Sequence, residues 1–373
     1  MIVTFDNTGT VHKFEELLAD LESRDEVTAI MVLACDENDF QKSKLDPILT
    51  KCTTPVFGGI FPQIIYQAEA FLKGTLVIGL TVPVHLSTIP FLSSPDVDYE
   101  MLLEENIPMD ISAKTMFVFV DGFGKRISSL IDGLFNVFGL ETNYIGGGAG
   151  SLSFNQKPIL FSNDGLLQDA AILALTQHES GIGVSHGWNT IGGPFRVSKS
   201  EHNKIISLDW KPAFDVYREI VEKHSGEKFT SDNFFDIAKA YPFGLAKLEG
   251  EKIVRDPISV SEDGSLTCVG EVPQDIFVHI LNGDTESLVT AAGDALGYSL
   301  ENRGDRGEND FVFVIDCVSR VLFLQDDFKL ELKALSTTQL PLIGALTLGE
   351  IANNGQAYLE FYNKTSVVGL LGT

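Results

Sequence analysis

Arg320 and Glu350 are the side chains best suited to hold a charged ligand in this 373-residue chain. They close two neighbouring apolar segments, FVFVIDCVSR (311–320) and IGALTLGE (343–350). A guanidinium fork there can meet a carboxylate while a carboxylate accepts from an ammonium group, so the pair fits the two ends of a zwitterion. A structural ion pair uses the same chemistry. If a strand runs through Ile315–Val318, alternation sends Asp316 to a crevice and Cys317 into the core. Cys317 is also the candidate nucleophile of a hydrolase, with Arg320 favouring its thiolate and Asp316 opposing it.

His186 lies in a turn beside Trp188, where imidazole and indole can form a pocket rim or hydrogen-bond within the fold. The same imidazole is the second candidate for hydrolytic chemistry, although no D/E-x-x-H pattern accompanies it. The run NYIGGGAGS offers backbone amides and little bulk at Gly146, Gly147, Gly148 and Ser151. It lacks both the Lys-Ser/Thr of a P-loop and a G-x-G-x-x-G opening, so it suits a small polar ligand or a tight strand connection better than a nucleotide. His85 is a candidate haem ligand. The histidines form no H-x-x-x-H pair and the four cysteines no C-x-x-C pair, so no metal site is expected and the thiols are expected reduced.

These residues must be positioned by repeated strands. TAIMVLAC (28–35), PVFGGIFP (55–62) and GTLVIGL (74–80) give a strand, a glycine-bearing strand and a further strand. The order returns in MFVFVDGFGKR (116–126), NYIGGGAG (143–150) and AAILALT (170–176), with an amphipathic helix expected over 127–135. It returns again at the C-terminus. FVFVIDCVSR lies on FVFVDGFGKR at a shift of 311 − 117 = 194, IGALTLGE on IGGGAG at 343 − 145 = 198, and FYNK on FSND at 361 − 161 = 200. The fold class is therefore α/β, two related halves built from repeated strand–helix–strand units, with mixed β-sheets and a ligand cleft between the halves. A boundary is expected near 180, with a middle segment 181–310 of different texture and a terminal α/β unit 311–373.

A net charge of −25 sets the mean field against nucleic acid and anionic membranes. No apolar run is long enough to span a bilayer and the opening MIVTFDN has no secretory pattern, so no membrane insertion and a cytoplasmic location are expected.

A series of short blocks in order resembles the FIST family of sensory proteins. They are Asp121–Gly122, YIGGGA (144–149), FSNDG (161–165), GVSHGW (183–188), LDWKPA (208–213), YPFG (241–244), Arg255–Asp256, GEVP (270–273), CVSR (317–320), PLIG (341–344), Gly349–Glu350 and FYNKT (361–365). The resemblance implies a FIST N-type domain over 1–180 and a FIST C-type domain over 181–373. It implies a non-catalytic sensor of a small metabolite, an amino acid or a relative of one, held in the cleft. The residues assigned to the ligand are Gly146, Gly147, Gly148, Ser151, His186, Trp188, Asp316, Arg320, Glu350 and Asn363. Asn363 lies in a block where the family reads His-Asn-Gln-Thr and this chain has Tyr362 in place of the histidine. Output is expected through a separate signalling protein such as a kinase or chemoreceptor, and a homodimer fits the same reading. No cofactor is expected from the motifs, but the resemblance admits a haem-based nitric oxide sensor, with His85 and His186 as the ligands to test.

Overall fold

The computed structural model describes all residues except 109, 110, 112, 248–251, 305, 306, 308, 309, 354–357 and 373. The apolar runs form three units of one pattern. The first is β1 (Ile2–Asp6), α1 (Val11–Glu22), β2 (Ala29–Cys35), α2 (Lys42–Leu49), β3 (Val56–Phe61), the hairpin β4 (Gln63–Tyr66) and β5 (Glu69–Phe71), and β6 (Thr75–Leu80). The second is β7 (Val84–Pro90), α3 (Tyr99–Asn106), β8 (Thr115–Asp121), α4 (Ile127–Phe138), β9 (Asn143–Ala149), β10 (Leu160–Ser162), β11 (Gly165–Leu167) and β12 (Ala170–Thr176). The third opens with β13 (Glu179–Ser185) and is then interrupted. The insertion comprises β14 (Asn189–Glu201), β15 (Lys204–Leu208), β16 (Lys211–Pro212), α5 (Ala213–Ser225), α6 (Phe234–Ala238), β17 (Phe243–Leu245), β18 (Ile253–Arg255), β19 (Pro257–Val260), β20 (Leu266–Cys268) and β21 (Phe277–Asn282). The unit resumes with α7 (Thr285–Arg303), β22 (Phe311–Cys317), α8 (Val318–Leu324), α9 (Phe328–Leu335), β23 (Leu342–Thr347), β24 (Glu350–Ala352), β25 (Glu360–Tyr362) and β26 (Ser366–Gly372).

In each unit a central strand pairs parallel with the glycine-bearing strand and antiparallel with the last one: β2 with β3 and β6, β8 with β9 and β12, β22 with β23 and β26. A parallel neighbour needs a crossover, which the helices between those strands supply. The central strands are buried along their whole length, which is why they read as unbroken apolar runs. Each hairpin joins a sheet of another unit. Strands β10 and β11 extend the first sheet through β3, β24 and β25 extend the second through β9, and β4 and β5 extend the third through β23. Three six-stranded sheets of identical order result, interlocked in a cycle, and the insertion forms a fourth, eight-stranded sheet. After β12 of the second sheet the chain passes to β13, which pairs with β26 of the third.

The interlock has a core of its own. Phe117 meets Phe313 edge-on at 5.5 Å and Phe57 at 6.0 Å, so rings from all three units touch. Glycine sets the register: Gly58, Gly146 and Gly344 lie opposite Val32, Val118 and Val314. A Cβ at these glycines would stand 1.9, 1.9 and 2.1 Å from the valine carbonyl oxygen. Side chains are excluded there because two backbones approach too closely. The pairing corrects two of the three sequence shifts. Val314 answers Val118, a shift of 314 − 118 = 196 rather than 194, whereas Gly344 answers Gly146 at 344 − 146 = 198 as expected. The two-residue slip escapes notice because strands repeat every two residues and the same face stays inward. The FYNK block also moves, since Phe361 sits on β25 of its hairpin and Phe161 on β10, the strand that answers β24.

Candidate functional site

The parallel strands β8, β9, β22 and β23 end around one cleft of about 1010 Å³. Its walls are the turn from β8 into α4 (122–129), the segment after β9, the start of α8, the turn between β23 and β24, and one edge of the inserted sheet. The carboxyl ends of parallel strands are where open α/β sheets leave a crevice, because the connections diverge there. Five large apolar side chains that the fold leaves exposed, Leu152, Phe154, Phe235, Ile258 and Leu322, all border this cleft. The deep lining is polar and buried: Asp256, Cys317 and Asn363 are each at most 4% exposed.

Two crossed contacts build that floor. Arg255 Nη1 donates to Asn363 Oδ1 at 3.4 Å and to Phe361 O at 2.9 Å, while Lys364 Nζ pairs with Asp256 Oδ2 at 3.1 Å. The inserted sheet is thereby tied to the end of β25. Burial lowers the Arg255 guanidinium to about 10 and raises the Asp256 carboxyl above its ordinary range. Asn363 Nδ2 and Asp256 Oδ1 have no hydrogen-bond partner among the described residues. Cys317 Sγ lies 3.0 Å from Ser319 Oγ, and both residues line the cleft.

Of the ten residues assigned to the ligand from sequence, Asn363 alone is among those lining the cleft. Arg320 and Glu350 are wholly buried. Arg320 donates from Nε to Glu331 Oε1 at 2.8 Å, from Nη1 to His186 O at 2.8 Å and Lys364 O at 3.2 Å, and from Nη2 to Leu288 O at 2.9 Å. Each guanidinium nitrogen is thus engaged by the protein, which replaces the expected grip on a zwitterion with an internal clamp. Glu350 accepts from Thr347 Oγ1 at 3.0 Å and Thr365 N at 3.3 Å, and burial raises its carboxyl to about 8. Asp316 is buried with its Oδ1 accepting from Cys317 N, and burial beside Glu331 holds it well above the usual carboxylate range. The expected faces of Asp316 and Cys317 are therefore reversed. Alternation itself holds along β22, but the face that carries Asp316 is covered by α8 and α9, where Arg320 lies 3.3 Å from its Oδ1, and Cys317 is the residue that meets the cleft.

The glycine run serves the cleft from behind. Cβ atoms on Gly147 and Gly148 would lie 2.7 Å from the carbonyl oxygens of Gly349 and Leu348, and Gly148 exchanges backbone hydrogen bonds with that same turn. Leu348 and Gly349 line the cleft, so the glycines seat its wall and meet protein backbone themselves. Ser151 donates to Asp36 Oδ2 at 2.6 Å. Trp188 is buried, with Nε1 donating to Lys364 O at 3.0 Å and Lys364 Nζ over its ring. His186 Nδ1 accepts from Trp188 N at 2.8 Å, and burial with Arg320 nearby pushes its imidazole down to about 3.

A nucleophilic Cys317 would need a thiolate, and burial pushes this thiol up instead. His85, on β7, and His186 lie off the cleft lining, so neither fits an axial ligand for a haem held there. Among the described residues no group of three or more His, Cys, Asp or Glu could hold a metal ion, and no helix is long and apolar enough to cross a membrane. Sequence reasoning did not assign Asp256, Ser319 or the apolar rim to the site. The signal present was an Arg-Asp pair directly after the apolar residues Ile253 and Val254 and before Pro257.

No curated protein matches the chain. Residues 28–211 match the FIST N domain and residues 213–353 the FIST C domain. FIST domains are associated with sensory signal transduction. The chain belongs to the FIST family, a FIST N domain followed by a FIST C domain.

Proposed function

We propose that this protein is a non-catalytic sensor that binds a small metabolite, an amino acid or a relative of one, in the cleft at the ends of β8 and β22. The observation that carries the reading is the convergence of exposed apolar side chains on a recess whose floor is polar and buried. An apolar pocket with a few placed polar groups is the usual form of a small-molecule site. The cleft is bordered by the second unit, the third unit and the insertion, so a ligand there would bridge all three and favour one arrangement of them. Its occupancy would be passed on to a separate cytoplasmic signalling protein, such as a kinase or chemoreceptor, with the sensor itself acting as a monomer or homodimer. Thermal-shift screening against amino acids and related metabolites tests the reading. A saturable rise in melting temperature is expected for at least one compound, and a well-folded sample that none of them stabilises would count against it.

A further inference from the structure

One hairpin tip of the insertion holds an aromatic side chain out to solvent on a strained backbone. Strands β15 and β16 pair Leu208 with Lys211, so Asp209 and Trp210 form a two-residue turn, and both have positive φ, 48° and 63°. Hairpin turns of that kind favour aspartate or asparagine followed by glycine, because the second residue must also enter the left-handed region. A tryptophan there is a bulky outlier and costly to hold. The turn is nevertheless fixed in place. Trp210 N donates to Ser198 Oγ at 2.8 Å, Asp209 N to Arg196 O at 2.9 Å, and Arg196 N to Asp209 Oδ1 at 2.9 Å. The indole gains little burial in return, being 74% exposed.

Its neighbours make the tip part of a patch. The Arg196 guanidinium carbon lies over the indole, 5.6 Å from the ring centroid, and Nη2 bonds Asp275 Oδ1 at 2.8 Å. Phe277, 50% exposed, is the cross-strand partner of Arg196 on β21, so the two side chains stand on one face of the sheet. The opposite face carries Val197, Ile205 and Leu208, buried in one core with Val216 and Tyr217 of α5. Exposed tryptophan and phenylalanine around a held arginine are the residue types that anchor protein interfaces.

Charge selects the occupant. The chain carries −25, so two copies repel over most of their surface. The hairpin is the exception, since residues 196–211 hold four basic side chains, Arg196, Lys199, Lys204 and Lys211, and two acidic ones, Glu201 and Asp209. The patch itself has both signs beside its aromatic rings, Arg196 with Asp209 and Asp275. A two-fold axis through it sets Arg196 of one copy toward carboxylates of the other and aromatic rings toward aromatic rings. That is the self-complementarity an isologous contact requires.

We propose that this protein pairs with a second copy of itself through the outer face of β14 and β21, with Trp210, Phe277 and Arg196 at the centre of a two-fold interface. None of the three lines the cleft, so the pairing stands or falls separately from the ligand reading.

The test is sedimentation velocity on the full chain from about 1 to about 200 µM, a range suited to an interface of modest size. Wild type is expected to pass from monomer to dimer over it. Trp210→Gly gives the turn its preferred residue, so at the dilute end it is expected to melt at or above wild type while weakening the dimer by at least about tenfold. Arg196→Glu places like charges on both sides of the axis and is expected to weaken the dimer as strongly, more at low salt than at high salt. A wild type that stays monomeric at about 200 µM overturns the proposal and leaves the patch to a different protein. A Trp210→Gly or Arg196→Glu variant that dimerises as wild type does also overturns it, since the copies then meet elsewhere.

Discussion

Replacing Arg320 by alanine should unfold the third unit rather than merely weaken ligand binding. The guanidinium joins α8 to α9 through Glu331, to α7 through Leu288 O, to the start of the insertion through His186 O, and to the last strand region through Lys364 O. Removing it leaves the Glu331 carboxylate buried without its ion partner, which costs about 3–5 kcal/mol. His186 O and Leu288 O also lose a charged donor, at about 1–3 kcal/mol each, while Lys364 O keeps its bond from Trp188 Nε1. The sum approaches the whole stability of a typical domain, about 5–15 kcal/mol. Arg320→Ala is therefore expected to be insoluble or to melt by circular dichroism at least about 10 °C below wild type, and Arg320→Lys, which keeps charge without the fork, to fall between them. A variant that melts with wild type yet loses metabolite binding would refute the clamp and restore Arg320 as a ligand contact.

Three further outcomes follow from single features. Gly146→Ala should destabilise severely, because its Cβ would stand 1.9 Å from Val118 O, whereas Gly297→Ala on α7 meets open space and should gain roughly 0.5–1 kcal/mol, both read from urea midpoints. Glu350 is held up to about 8, so its contribution to stability is complete below the ordinary glutamate value and lost as pH rises through 8. His178 and His186 are pushed down to about 4 and about 3, so theirs is complete above the ordinary histidine value and lost as pH falls through those values. The urea midpoint should accordingly fall between about pH 7 and 8, and Glu350→Gln should flatten that limb; a midpoint still rising there contradicts the assignment. Haem added to the purified chain should give the same Soret spectrum in wild type, His85→Ala and His186→Ala, and an altered axial signature in either variant would return that histidine to the ligand set.

The repeated units were legible because each leaves a strong local signal. Fully buried central strands read as apolar runs, and the glycine opposite each valine marks a backbone contact that no side chain can enter. The cyclic exchange of hairpins was not legible, since β4, β10 and β24 carry nothing local to say which sheet they extend. The site divided in the same way. Asn363 drew attention through its block and lies in the cleft lining, whereas Arg320 and Glu350 drew attention as charges at strand ends, and only their burial reveals that the protein satisfies them itself. Asp256 and the apolar rim come from segments as distant in sequence as Leu152 and Leu322, brought together by packing that no short window encodes.

The central claim, that the cleft holds a small ligand, is tested most directly by calorimetric titration of the most stabilising metabolite into wild type and Leu322→Trp. Leu322 is partly exposed on α8 at the cleft wall, so an indole there can fill the recess without entering the core. Wild type is expected to bind saturably at one site, and the variant to melt at the same temperature and bind at least about tenfold more weakly. Equal affinity in the two proteins, or no saturable binding by wild type, would contradict the account.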